Sequence, residues 1–145
     1  MQTRKWKLDT DYKYLVEWWK QYDFGIVPKE CLPPDGIVVL LDRPICAAGL
    51  YLCKGTKFGF MEWVVVDKKI GLKTAHNALN LCIGEIIQMA KDNNIKLLYT
   101  VTAQEALQKR YTKYHDMEIG EKSSMTFVKD LSNKQYKDLD FVKDA

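Results

Sequence analysis

Residues 58–75, FGFMEWVVVDKKIGLKTA, carry the most chemically suggestive run of the chain. The first half is branched and aromatic like a β-strand and holds one carboxylate, Glu62. On a regular strand Glu62 shares a face with Phe60 and Val64, among apolar neighbours. A carboxylate so placed costs free energy unless it is paired, hydrated or functional. Partial burial raises its pKa and makes it a better base near neutral pH. The bland alternative is a pairing with a lysine or a backbone group at a sheet opening. The second half is a basic turn, with Lys68, Lys69 and Lys73 around Gly71, that runs into a helix. A helix N-terminus offers unpaired N–H groups and a partial positive charge, a place where a phosphate can sit. Its bland alternative is a solvated basic turn.

Other reactive side chains are less well placed. His76 and His115 are far apart and have no partner at triad spacing, so both are read as structural or solvent-facing. Cys31, Cys46, Cys53 and Cys82 form no C-x-x-C pair, and no metal site is expected. They are read as buried thiols of a reducing compartment. A formal charge of +3 is too mild for nucleic-acid binding, and no reading helix or aromatic platform is evident. No apolar run reaches the roughly 18–20 residues of a membrane span. The N-terminus MQTRKWKLDTD lacks the apolar core of a signal peptide, which points to the cytoplasm.

At 145 residues, with 47% hydrophobic and 28% charged side chains, the chain suits one domain with one substantial core. Asp9 or Thr10 can cap a helix over residues 11–22 that buries Leu15, Trp18, Trp19 and Tyr22. One of the two tryptophans is expected in the core, the other on a pocket wall or an interface such as that of a homodimer. Pro28, Pro33 and Pro34 make residues 25–35 a loop. Residues 37–41 form a short strand, and 45–53 and 58–66 pair as a hairpin. From residue 72 to about 93 the apolar period becomes helical, and Asn93-Asn94 ends the helix. Residues 95–102, IKLLYTVT, read as a strand covered on both faces and parallel to 58–66 through a right-handed crossover. A helix over 103–114 and a hairpin of 117–119 with 124–128 follow. Ser132 and Gln135 have capping-box spacing for a short tail helix.

Helix, antiparallel strands, long helix, parallel strand, helix and hairpin is an α/β (α+β) order that resembles the GNAT superfamily of N-acetyltransferases. Members typically read E-L-x-V-x-P-x-x-R-G-x-G-x-G/A across the central strand and phosphate loop. Glu62 to Ala75, EWVVVDKKIGLKTA, aligns with that pattern without a gap. Tyr111 to Gly120 is similar in spacing to the family's Y-E-K-L-G-F-x-x-x-G. The stretches LVEWWK and VPKECLPPDGIVV resemble small GNAT-like proteins of phages. The resemblance covers residues 1–131 as one domain and leaves 132–145 as a tail. Ile70 stands where the family has arginine or glutamine, and Lys73 replaces the central glycine.

The resemblance implies an acetyl-CoA-dependent N-acetyltransferase in which an amine attacks the thioester directly. Glu62 would be the general base and Tyr111 the proton donor to the departing thiolate. Backbone groups of Val64, Val65 and Val66 would hold the pantetheine arm. Gly71, Leu72, Lys73, Thr74 and Ala75 would form the phosphate loop, and Gln104 replaces an asparagine found near the cofactor. The loop is degenerate: the Lys73 ammonium offsets the missing glycine, or its stem fills the cradle. The acceptor, a small-molecule or protein amine, is not named by the sequence. The acidic Asp23, Glu30 and Asp35 either greet a cationic amine or are simply solvated. The alternative function is a cofactor-free binding module, in a phage setting one that modulates a host protein in the host cytoplasm.

Overall fold

In the computed structural model, which describes residues 1–132, the middle of the sheet is built from small side chains. β3 (Pro44–Leu52, PICAAGLYL) is buried over residues 44–50 and takes the central place in a five-stranded sheet. The order is β1 (Gln2–Lys5), β2 (Asp35–Leu40), β3, β4 (Phe58–Val66) and β5 (Leu97–Tyr99). Neighbours are antiparallel except β4 and β5, which are parallel. β3 has Ala47 and Ala48 at its middle, so both layers of the domain can approach the sheet closely.

One face of the sheet carries α1 (Leu8–Gln21), with Trp6, Leu15, Trp18, Trp19, Val38 and Val65 in its core. The other carries α2 (Leu72–Asp92), with α3 (Glu105–Tyr114) contributing Leu107 and Tyr111. α2 buries Ala78, Cys82, Ile83, Ile86 and Met89, the stripe its period predicts, and ends at Asn93 with Asn94 at φ 59°. Asparagine tolerates that left-handed geometry, which suits it to follow the helix.

Several expectations change. β1 is an unforeseen strand: QTRK is too polar to read as one, and it forms because it pairs antiparallel with β2 at the sheet edge. α1 starts at Leu8 rather than residue 11, and neither Asp9 nor Thr10 caps it. Asp11 instead accepts the Lys7 backbone N–H at 2.7 Å and both Arg4 guanidinium nitrogens at 2.7 and 2.9 Å. β5 is only three residues long and is covered on one face, with Leu97, Tyr99 and Val101 exposed. Among the described residues, 115–132 form no strand, so the final hairpin is absent. The tail helix lies outside the described residues. None of the described helices is long and apolar enough to cross a membrane.

Candidate active site

β4 and β5 pair over only three positions, Phe58 with Leu97, Gly59 with Leu98 and Phe60 with Tyr99. Just beyond, the Thr100 hydroxyl donates to the Met61 carbonyl at 2.6 Å and pins the point where the strands part. β4 continues to Val66, while β5 has ended. The result is a fork with one open strand edge.

A bulge sets which side chains enter it. Against β3, Glu62 lies opposite Gly49 and Val65 opposite Ala47, so β4 carries one residue more than its partner there. Trp63 takes up the excess at φ 61°, an unusual value for a bulky residue. The extra residue breaks the alternation: Met61 and Val64 both pack toward α2, while Trp63 and Val65 pack toward α1. Glu62 and Val64 therefore do not share a face, contrary to the expectation from a regular strand.

Glu62 is half-buried, and desolvation pushes its pKa up to about 7, with the Val101 backbone N–H pulling the other way. It makes no ion pair among the described residues. Tyr111 is 6% exposed, and burial pushes its hydroxyl up to about 12. The Thr100 side chain lowers that value by a hydrogen bond, and the charge of Glu62, across the fork, raises it.

The open edge of β4 is narrower than three valines. The Asp67 N–H donates to Ile45 O at 2.8 Å, which makes Cys46 and Val66 a non-hydrogen-bonded pair. Val66 consequently turns its backbone groups away from β3, and Val65 turns its own toward it. Val65 is corrected on this ground as an edge contributor. The Val66 carbonyl already accepts the Tyr22 hydroxyl at 2.9 Å. Val64 and the Val66 N–H remain the candidate edge groups.

The turn after β4 is held by its own contacts. The Lys68 N–H donates to Gln21 Oε1 at 2.8 Å and the Lys69 N–H to Asp67 Oδ1 at 2.9 Å. Asp67 is buried and salt-bridged to Arg43 at 2.8 Å. Burial alone would raise its pKa, but the Lys69 N–H, Gln21 and Arg43 together hold it below the usual carboxylate range. Ile70 packs against the core beneath α2. Gly71 is the N-cap of α2, with no side-chain cap and no acid in the first turn. A Cβ at Gly71 would meet nothing within 4 Å, so the space beside the helix end is open. Leu72 and Lys73 are exposed, so the lysine stem does not fill a buried cradle. Thr74 and Ala75 complete the first turn, with the Ala75 N–H bonded to Gly71 O at 2.9 Å. Gln104 is exposed at the N-cap of α3.

A cleft of about 480 Å³ opens on the α1 side, lined by Val27, Pro28, Tyr51, Trp63, Val128 and Leu131 among others. The Trp63 indole N–H donates to the Tyr51 hydroxyl at 2.8 Å, and that hydroxyl donates to Cys31 O at 2.7 Å. Tyr51 is raised by burial, lowered by Trp63 and raised further by nearby charges that include Glu62. Sequence reasoning missed Trp63 and Tyr51. The one signal was an aromatic residue directly after the strand glutamate. Trp18 and Trp19, expected to be divided between core and pocket, are 1% and 2% exposed, so both belong to the core. A larger, open depression of about 570 Å³ at Leu8, Asp9, Pro28, Lys29 and Glu30 lies away from the fork, and its Lys29–Asp9 pair is closed at 2.7 Å. Of the thiols, Cys46 and Cys82 are buried, whereas Cys31 is exposed on the cleft rim. His76 and His115 meet across Asn80 and Arg110, which tie α2 to α3.

No protein-family model matches the sequence, and no curated protein matches it. Solved structures do match. An aminoglycoside acetyltransferase from an uncultured soil metagenomic sample, in complex with sisomicin, superposes with a TM-score of 0.65 at 12% identity, over 88% of this chain and 96% of that one. Glucosamine-6-phosphate N-acetyltransferase from Arabidopsis thaliana gives 0.59 at 13% identity, over 90% and 98%. A Mycobacterium tuberculosis protein in complex with CoA gives 0.61 at 15% identity, over 77% and 70%. Such identities carry the fold alone, and the fold is that of the GNAT acetyltransferases.

Proposed function

We propose that the protein is an acetyl-CoA-dependent N-acetyltransferase that transfers the acetyl group directly to an amine. The observation that carries this reading is the fork, where a carboxylate with no ion pair among the described residues, raised to about 7, has a buried tyrosine within reach of its charge. The CoA complex among the similar structures supports the choice of co-substrate.

The residues suit that co-substrate. The uncapped α2 N-terminus leaves the N–H groups of its first turn to a phosphate, with the exposed Lys73 beside them. Val64 and the Val66 N–H, on the open edge of β4, would hold the pantetheine arm. Bound acetyl-CoA supplies a thioester carbonyl as electrophile. Glu62, about half ionised at neutral pH, takes the proton that the amine sheds as its nitrogen bonds the carbonyl carbon. Tyr111, raised to about 12, stays a phenol at neutral pH and offers a donor to the sulfur as the C–S bond breaks. Proton transfer from so weak an acid is uphill. Its first contribution is therefore a hydrogen bond to the developing charge, completed by transfer as the thiol leaves.

Calorimetry and thermal unfolding with acetyl-CoA and CoA test the reading. Binding heat and a raised melting temperature are expected from linkage. Saturating acetyl-CoA that produced neither would sink it.

A further inference from the structure

We infer that His76, Asn80, Arg110 and His115 form an acid-sensitive clasp that seats α3 on α2, so that mild acid loosens the helix carrying Tyr111. The clasp is a property of the fold, while its effect on catalysis rests on the reading of the fork as an acetyltransferase site.

α3 buries only Leu107 and Tyr111, so its seat on α2 depends also on polar contacts. Arg110 Nη1 donates to Asn80 Oδ1 at 2.9 Å, to His76 Nδ1 at 3.2 Å and to His76 O at 3.3 Å. His115 Nε2 donates to the same Asn80 oxygen at 3.2 Å, and the His76 ring meets the Tyr114 ring edge to face. Arg110 Nε is buried without a hydrogen-bond partner, and no carboxylate pairs with Arg110 among the described residues. The guanidinium is therefore held by neutral acceptors alone.

That arrangement requires uncharged histidines. Each ring nitrogen of His76 faces a donor, Arg110 Nη1 on one side and Asn80 Nδ2 at 3.4 Å on the other. A neutral imidazole accepts at one nitrogen, whereas an imidazolium accepts at neither. A second proton on His76 thus sets N–H against N–H and a cation against Arg110. At His115, burial and then the Arg110 charge hold the pKa below its ordinary value of 6.5. As the pH falls through that value the opened chain takes the proton first, so the closed clasp is progressively penalised. Neighbouring charges give no relief. Lys109 pairs with Glu105, Lys113 lies over the Tyr114 ring, and Asp116 makes no ion pair among the described residues. Lys73, three residues before His76 on α2, adds positive charge.

Hydrogen exchange of the full chain without acetyl-CoA, read by mass spectrometry and corrected for intrinsic rates, tests the clasp. Between about pH 7.5 and about pH 5.5, protection of residues 105–114 should fall about tenfold, with a smaller change at the centre of α2. About tenfold is the most that one histidine kept uncharged contributes one pH unit below its ordinary value. His76→Asn keeps an acceptor near the Nδ1 position and His115→Gln a donor near Nε2, and neither replacement titrates. The double variant should lose less than about twofold over the same range, and each single variant should fall between it and the wild type. Should the double variant not fold, the single variants carry the comparison. Unchanged protection of α3 in the wild type, or variants as acid-sensitive as the wild type, overturns the inference. If α3 opens as stated but acetyl-CoA gives no binding heat, the transferase reading falls and the clasp stands.

Discussion

In β4, Glu62 is held by a sheet bonded to β3 on one edge and by a fork that Thr100 pins on the other. A short run later, Lys73 stands exposed on a helix end, with no ion pair among the described residues. The strand half fixes a side chain in a partly dry place, and its chemistry shifts as a result. The loop half offers backbone N–H groups and a solvated ammonium, which contribute affinity in small, salt-dependent amounts. The contrast teaches that the chemical step should depend on the strand half and cofactor affinity on the loop half, with little crossover.

The largest expected effect tests the strand half. Glu62→Gln should lower kcat by roughly 10²–10⁴-fold and leave acetyl-CoA affinity nearly unchanged in calorimetry. If kcat hardly moved, the fork would not be the reaction centre. In the wild type, kcat/KM should rise with pH through about 7 as Glu62 ionises, and the variant should lose that rise.

The same substitution should stabilise the fold, and the sign follows from the raised pKa. Below 4.5 the folded and unfolded states both hold the Glu62 proton, and the site contributes nothing. Between 4.5 and about 7 the unfolded chain releases it first, so the native state is progressively penalised. Glu62→Gln should therefore gain up to about 3 kcal/mol in denaturant unfolding at pH 8, and almost nothing at pH 4. An equal gain at both pH values would show that relief of the carboxylate is not the cause.

Tyr111→Phe comes next, with kcat reduced about tenfold by loss of one hydrogen bond to the leaving sulfur. A leaving group of lower pKa should narrow that deficit, a response that a packing defect would not produce. Lys73→Ala should have the smallest effect, raising KM for acetyl-CoA about twofold to fivefold at low salt with kcat unchanged. The difference should fade at high ionic strength. A Lys73 effect on kcat larger than that of Glu62 would reverse the comparison.

Much of the fold was legible because its strongest elements carry their own period. α2 buries a continuous helical stripe, and β3 and β4 form the hairpin that the stretch from residue 45 to 66 suggests. Elements that depend on neighbours were not legible. QTRK becomes a strand only because β2 presents an edge to it. The apolar run from residue 95 was read as long and doubly covered, yet ladder pairing stops at Tyr99 and its outer face stays exposed. The roles of Glu62 and Tyr111 came from the family resemblance, whereas Trp63 and Tyr51 emerged only when α1, β3 and β4 were placed together.

By itself, the sequence determined that a lone glutamate lies in an apolar strand ahead of a basic turn and a long helix. Those are local facts of residue type and period. Only the tertiary structure decided that β4 carries an extra residue at Trp63 and that Val64 therefore leaves the face of Glu62. It alone decided that the strands part after Phe60 and that the charge of Glu62 reaches Tyr111. The physical reason is that register and bulge are set by hydrogen bonds between strands, and one residue of shift moves every later side chain to the opposite face.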